Sequence, residues 1–228
     1  MQSGYVKCGT ADIYYEVYGD GIPIVFLHGN GEEMSYFKYQ KEALKGKYKL
    51  IFIDSRAHGK STFGKEELTL DLMSDDILNV LKELNLSEVN LVGFSDGGNL
   101  SIIMALKKLE LFKTLVLVGA NLKPQDIIFD ERINIYNEIE VEKDEKKKQI
   151  LRLMTNEPNI EDSELCKIDI PVLVVAGEND VITEECTKRI KHNLKNARLK
   201  IIEGADHFLI SKRPELFNNL LTNFINNN

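Results

Sequence analysis

Apolar residues along this chain follow two rhythms that alternate nearly from end to end. Residues 6–8 and 13–17 alternate between apolar and polar positions, and the short Gly9-Thr10-Ala11-Asp12 stretch between them predicts a β-hairpin. From Pro23 the pattern changes. Pro23–Leu27 is a continuous apolar run, and similar runs recur at 50–53, 89–92, 114–118 and 172–176, with a shorter one at 199–202. Short runs without alternation predict strands covered on both faces. Helical spacing fills the intervals at 34–44, 70–84, 100–109, 183–194 and 214–224. The clearest case is 70–84, where Leu70, Met73, Ile77, Leu78, Leu81 and Leu84 share one stripe. Strands alternating with helices predict an α/β fold. Right-handed crossovers then give a mostly parallel central sheet with helices on both faces.

One stretch breaks the alternation. Residues 121–167 carry no strand pattern and are rich in charge, with helical periodicity over Phe129–Val141 and 146–154. The expectation is a single domain over 1–228 with a small helical cap inserted at 121–167, in preference to an ordinary long crossover. No internal repeat or low-complexity linker divides the chain, and the polar end at 226–228 reads as fraying.

The formal net charge of −7 makes nucleic acid an unsuitable partner, because neutralising phosphates needs a clustered basic face. The one dense basic run, 143–148, contains Glu145 and adjoins Glu138, Glu140 and Glu142, so it reads as a solvated helical face. Three cysteines, an odd number without CxxC spacing, argue against a disulfide framework and for a reducing cytoplasm. The first residues lack a charged start followed by an apolar stretch, so no signal peptide is expected. No apolar run approaches the roughly 20 residues of a membrane helix, so no membrane partner is expected. The oligomeric state is left open.

In an open α/β sheet, ligands bind beyond the carboxyl ends of the strands, so chemistry-bearing residues should follow the apolar runs. Five motifs do: His28-Gly-Asn-Gly31, Asp54-Ser-Arg-Ala-His-Gly-Lys-Ser61, Gly93-Phe-Ser-Asp-Gly-Gly98, Gly177-Glu-Asn-Asp180 and Gly204-Ala-Asp-His207. The third has the G-x-S-x-G spacing of a nucleophile elbow, between a strand and a helix opening near Gly98. Such a turn needs small neighbours so that the chain can bend and lift its serine clear. Ser95 is the candidate nucleophile. A hydroxyl needs a base, and the chain has four histidines. His192 falls on a helical surface. His28 and His58 precede Ser95, whereas elbow enzymes run in the order serine, acid, histidine, so His207 is the candidate base. Asp180 is the candidate acid. Its rivals are Glu178, close to the strand end, and Asp206, adjacent to His207. The expected oxyanion donors are the backbone N–H groups of Asp96 and Asn30. Asp96, Gly29 and Phe94 are the candidate substrate contacts, and His28 is expected to brace its loop. Gly59-Lys60-Ser61-Thr62 mimics the end of a phosphate-binding loop, but the earlier glycine position holds Asp54. No histidine or cysteine pair has metal-ligand spacing.

In this order the motifs HGNG, DSRAHGKS, GFSDGG, GEND and GADH resemble the α/β-hydrolase superfamily over essentially the whole chain. The resemblance is to small capped enzymes: carboxylesterases, carbon–carbon bond hydrolases and valacyclovirase-like aminoacyl-ester hydrolases. It implies a serine hydrolase with Ser95, Asp180 and His207 as its catalytic residues, a small-molecule ester substrate, no metal and no organic cofactor. A serine at the elbow centre sets the chain apart from epoxide hydrolases and haloalkane dehalogenases, which carry aspartate there, and the chain has no tryptophan of the kind dehalogenases use to hold halide. Amide, aminoacyl-ester and carbon–carbon hydrolysis are the enzymatic alternatives, and a slow-turnover binding protein is the non-enzymatic one. The Ser95-Asp96 pair is similar to the valacyclovirase-like elbow, in which the Asp96 carboxylate would attract a substrate amine. The competing expectation is that Asp96 bonds locally and faces away.

Overall fold

The computed structural model describes residues 1–228. β1 (Gln2–Cys8) and β2 (Ala11–Tyr18) form an antiparallel hairpin that turns at Gly9-Thr10. The turn is tighter than the sequence pattern predicts. Ala11 and Asp12 already belong to β2, with Ala11 paired to Cys8. β2 joins antiparallel to β4 (Lys49–Ile53), which lies parallel to β3 (Pro23–Leu27). The parallel array continues through β5 (Val89–Phe94), β6 (Phe112–Val118), β7 (Val172–Asn179) and β8 (Ala197–Asp206). The sheet order is β1-β2-β4-β3-β5-β6-β7-β8.

The continuous apolar runs are explained by burial on both sides. Val25 and Leu27 of β3 enter one core, and Ile24 and Phe26 enter the other. The larger core packs α2 (Leu70–Glu83), α3 (Asp96–Lys108) and α6 (Glu184–Asn193) against one sheet face. The smaller holds α1 (Lys38–Leu44), α7 (Leu209–Lys212) and α8 (Pro214–Asn226) against the other. The stripe seen in the sequence at 70–84 is the buried face of α2. That helix starts at Thr69, whose hydroxyl accepts the Leu72 N–H at 3.1 Å. The helix expected over 34–44 opens with a 3₁₀ turn, Met34–Phe37, before α1. The Met34 N–H, lacking an intrahelical acceptor, donates to Asp54 Oδ1 at 2.8 Å. No helix is long and apolar enough to cross a membrane.

Between β6 and β7 the chain forms no sheet strand. It makes a short 3₁₀ turn at Pro124–Asp126, then α4 (Phe129–Val141), α5 (Glu145–Asn156) and a 3₁₀ segment, Asp162–Lys167. Ile135 of α4 and Leu153 of α5 bury into the larger core. The segment is pinned at its start, where Ile128 N–H donates to Val181 O (2.8 Å) and Thr183 N–H to Asp126 O (2.8 Å). The start of this helical segment is therefore tied to the loop that follows β7.

The loop after β4 is held by Arg56, which is only 1% exposed. Its Nε and Nη2 donate to the Asp76 carboxylate of α2 (2.6 and 2.8 Å), Nη2 to Cys8 O (3.0 Å), and Nη1 to Glu66 (2.8 Å) and Phe63 O (3.3 Å). A buried pair breaks expensively when one partner is removed, because the other is left charged and unpaired. Arg56→Met should therefore lower unfolding free energy by about 3–5 kcal/mol in urea titrations. Arg56→Met combined with Asp76→Leu should recover much of that loss. A single variant as stable as the unsubstituted protein would remove the pair from this role.

Candidate active site

Ser95 stands between the last residue of β5 and the first of α3 with φ +52° and ψ −120°. A side chain beyond glycine rarely holds a positive φ, and doing so costs of order 1–3 kcal/mol. The turn is held from several sides. Ser95 N–H donates to Val118 O (2.8 Å), and Ser95 O accepts from Gly98 N–H (2.8 Å) and Asn99 N–H (3.1 Å). The bend needs glycine on both flanks. A Cβ on Gly93 would lie 2.1 Å from the Gly97 carbonyl oxygen, and one on Gly97 would lie 2.1 Å from that of Leu27. The helix can start this close to the sheet only because both side chains are missing.

His207 follows the end of β8 and is mostly buried, with its ring packed 4.9 Å from that of Phe94 and 5.6 Å from that of Phe208. Its Nδ1 lies 2.6 Å from Asp180 Oδ1, and its Nε2 lies 3.1 Å from Ser95 Oγ. An ionised carboxylate only accepts, so Nδ1 carries the proton and Nε2 is free to accept the Ser95 hydroxyl. Asp180 is fixed in turn, since its carboxylate accepts the N–H groups of Ile182 (3.0 Å) and Gly177 (3.4 Å). The rival acids are engaged elsewhere: Glu178 accepts Gly204 N–H (2.8 Å), and Asp206 pairs with Lys212. His192 is exposed on α6.

The loop after β3 lies against this group. His28 is buried, donates from Nδ1 to Gly29 O (2.8 Å) and accepts Ser55 N–H at Nε2 (3.0 Å). Burial, with His58 close by, lowers its pKa to about 3, which keeps the ring neutral. His58 donates to Arg56 O (2.8 Å) and accepts Gly31 N–H (3.1 Å). The two histidines thus tie the loop after β3 to the loop after β4, with no reach to Ser95 required. Asp96 opens α3, where first-turn N–H groups have no intrahelical acceptor. Its buried carboxylate accepts Asn30 Nδ2 at Oδ2 (2.9 Å) and Asn99 Nδ2 at Oδ1 (3.2 Å).

In front of Ser95 is a cavity of about 320 Å³, near the lower end for small-ligand sites. Gly29, Asn30, Phe94, Ser95, Asp96 and His207 line it, together with Ile135 of α4 and Leu151 and Met154 of α5. Five carboxylates also line it: Glu32, Asp96, Glu131, Glu138 and Glu157. No lysine or arginine does, and none of the five forms an ion pair with one. Burial raises the Glu32 carboxyl to about 7, and it raises Asp96 and Glu157 against the pull of their hydrogen-bond donors. No group of three or more His, Cys, Asp and Glu side chains converges as metal ligands would.

A family model of the alpha/beta hydrolase fold matches residues 22–137, just over half of the 228 residues. The chain belongs to the α/β-hydrolase family. It is a hydrolase of that fold, and related proteins align over nearly its full length. The AB hydrolase superfamily protein YisY of Bacillus subtilis (strain 168) is 27% identical over 94% of this chain and 95% of its own. The solved structure of Est816, described as an N-acyl homoserine lactone degrading enzyme, superposes with a TM-score of 0.83 at 25% identity, covering 97% of this chain and 100% of that one. The esterase EaEST from Exiguobacterium antarcticum shares the fold, with a TM-score of 0.85 at 24% identity over 97% and 98% of the two chains.

Of the residues singled out from sequence, Gly29, Asn30, Phe94, Ser95, Asp96 and His207 line this cavity, whereas His28, His58, His192, Glu178 and Asp206 do not, and Ser95, His207 and Asp180 form one hydrogen-bonded series. Sequence reasoning missed Glu32, Asn99, Asn121 and the cap carboxylates Glu131, Glu138 and Glu157. Glu32 lies just past the strand-end motif His28-Gly-Asn-Gly31, where no local pattern marks it. The cap residues have no such mark either. A fluorophosphonate should label Ser95 in preference to every other serine, and mass spectrometry of the peptides would locate it. His207→Gln should abolish the labelling while leaving the circular dichroism spectrum unchanged. Label spread over other serines would remove Ser95 as the activated hydroxyl.

Proposed function

We propose that this hydrolase cleaves small carboxylic esters through an acyl-enzyme on Ser95. The observation that carries the reading is the series Ser95 Oγ–His207 Nε2 at 3.1 Å and His207 Nδ1–Asp180 Oδ1 at 2.6 Å, opening onto one cavity. Ser95 attacks the ester carbonyl as His207 takes its proton. Asp180 holds the tautomer and stabilises the imidazolium. The backbone N–H groups of Asn30 and Asp96 stabilise the tetrahedral oxyanion. His207 then protonates the departing alcohol, and a water activated by the same imidazole releases the acid. The cavity volume supports a small acyl group. The three cysteines are free, which suits a reducing cytoplasm.

p-Nitrophenyl acetate and butyrate should be turned over faster than the decanoate. Ser95→Ala should abolish turnover, and Asp180→Asn should lower kcat by a factor on the order of 10⁴. Full activity in Ser95→Ala would overturn the assignment. A burst followed by negligible steady-state release would instead mark a slow-turnover binding protein.

A second reading is favoured by the five unpaired carboxylates around the cavity, which suit a substrate bearing an ammonium group, as in aminoacyl esters. The p-nitrophenyl ester of alanine should then have a higher kcat/KM than its N-acetyl derivative, and Glu138→Gln should narrow the difference. Equal rates on the two esters would remove this reading. Equal losses on both in Asp96→Asn would exclude Asp96 as the amine contact.

A further inference from the structure

Both oxyanion donors belong to residues whose side chains are bonded to each other. The two amide N–H groups of Asn30 are both in use, one donating to Asp96 Oδ2 at 2.9 Å and the other to the Ile150 carbonyl of α5 at 2.8 Å. The second oxygen of Asp96 accepts Asn99 Nδ2. Asn99 also donates to Asn121 Oδ1 (2.9 Å) and accepts the Asn121 N–H (2.9 Å), and Asn121 Nδ2 donates to Lys123 O (2.9 Å). The series therefore leaves the cap at α5, passes through the loop after β3 and the elbow, and returns to the cap where it begins. Asp96, Asn99 and Asn121 are all buried.

This arrangement has a cost that packing alone does not explain. Asp96 is a carboxylate with no cationic partner, held by amide hydrogen bonds in a site where an apolar residue would be easier to bury. The loop it grips needs outside support, because Asn30 lies between Gly29 and Gly31, and Gly31 has φ +71°. An oxyanion donor helps only when it is aimed before the reaction begins.

We propose that the Asn30 side chain is a positioning group for the oxyanion hole, holding its own backbone N–H and that of Asp96 in register and anchoring both to the cap through α5. The proposal rests on the acyl-transfer reading above. Asn30→Ala keeps the backbone N–H and removes both side-chain bonds. Asn30 is half-buried in a loop, so the variant should keep its thermal midpoint within a few degrees.

The test measures p-nitrophenyl butyrate turnover and the affinity of a short alkyl trifluoromethyl ketone, whose adduct with Ser95 carries an oxyanion. In Asn30→Ala, kcat and ketone affinity should fall together by about 10–100-fold, less than the roughly 10²–10³ for deleting a donor outright. KM should change less than about threefold. Asn99→Ala, at a residue that does not itself line the cavity, should show the same split. The double variant should lose less than the product of the two single losses. If Asn30→Ala lowers turnover and leaves ketone affinity unchanged, or changes neither, the side chain does not act on the oxyanion hole. Should Asn99→Ala fail to fold, the single variant at Asn30 still decides. Failure of the acyl-transfer reading is separately visible, because the unsubstituted protein would then form no ketone adduct.

Discussion

The site depends on one backbone constraint: a serine held in a left-handed conformation where a strand becomes a helix. A positive φ at Ser95 is unfavourable in isolation. It persists because the surroundings over-determine it. The Val118 carbonyl takes the Ser95 N–H, two helix N–H groups take its carbonyl, and α3 approaches β3 so closely that Gly97 has no room for a side chain. That approach requires β3 and β5 to be neighbours in the sheet, which the order β4-β3-β5-β6 provides. The hydroxyl is thereby lifted clear of the helix while the first-turn N–H groups remain beneath it. The remaining partners then have only to arrive from strands farther along the same parallel edge. β7 delivers Asp180 and β8 delivers His207, because parallel strands present all their carboxyl ends on one side.

How much of this could be read from the sequence follows from that geometry. Residues that follow directly from a strand end are readable, since a continuous apolar run marks the strand and the next few residues must lie at the rim. Ser95, Asp180, His207, His28 and Asn30 all fall under this rule. Glu32 falls just outside it. Its significance comes from burial, which raises its carboxyl to about 7, and no local pattern announces burial in a loop. The cap carboxylates were hidden for a different reason. Glu131 and Glu138 share one face of α4 with Ile135 between them, but that face meets the cavity only because α4 folds back over the sheet. Helical periodicity indicates that such a face exists without indicating what it meets.

The histidines show how like residues separate by environment. His28 and His58 follow strands as His207 does, but their ring nitrogens are taken by backbone groups, one in the ring's own loop and one in the neighbouring loop. Each is a brace with both valences filled. Only His207 has one nitrogen on a carboxylate and the other on a hydroxyl. The difference lies in what surrounds the ring and not in the residue itself, and chain order anticipated it only because it stands in for that geometry.

Asp96 joins two demands that pull in opposite directions. In the proposed mechanism its N–H faces a developing negative charge, yet its side chain adds a carboxylate beside the same spot. An unshielded anion there would oppose the oxyanion it is meant to stabilise. Two features of the structure relieve the conflict. Burial raises the Asp96 carboxyl, which disfavours its charged form, and the amides of Asn30 and Asn99 direct two N–H dipoles at its oxygens. An aspartate in this position is therefore tolerable only with its asparagine partners. That dependence links the loop after β3, the elbow and the cap entry into one unit, which neither the nucleophile motif nor the order of the triad residues would have predicted.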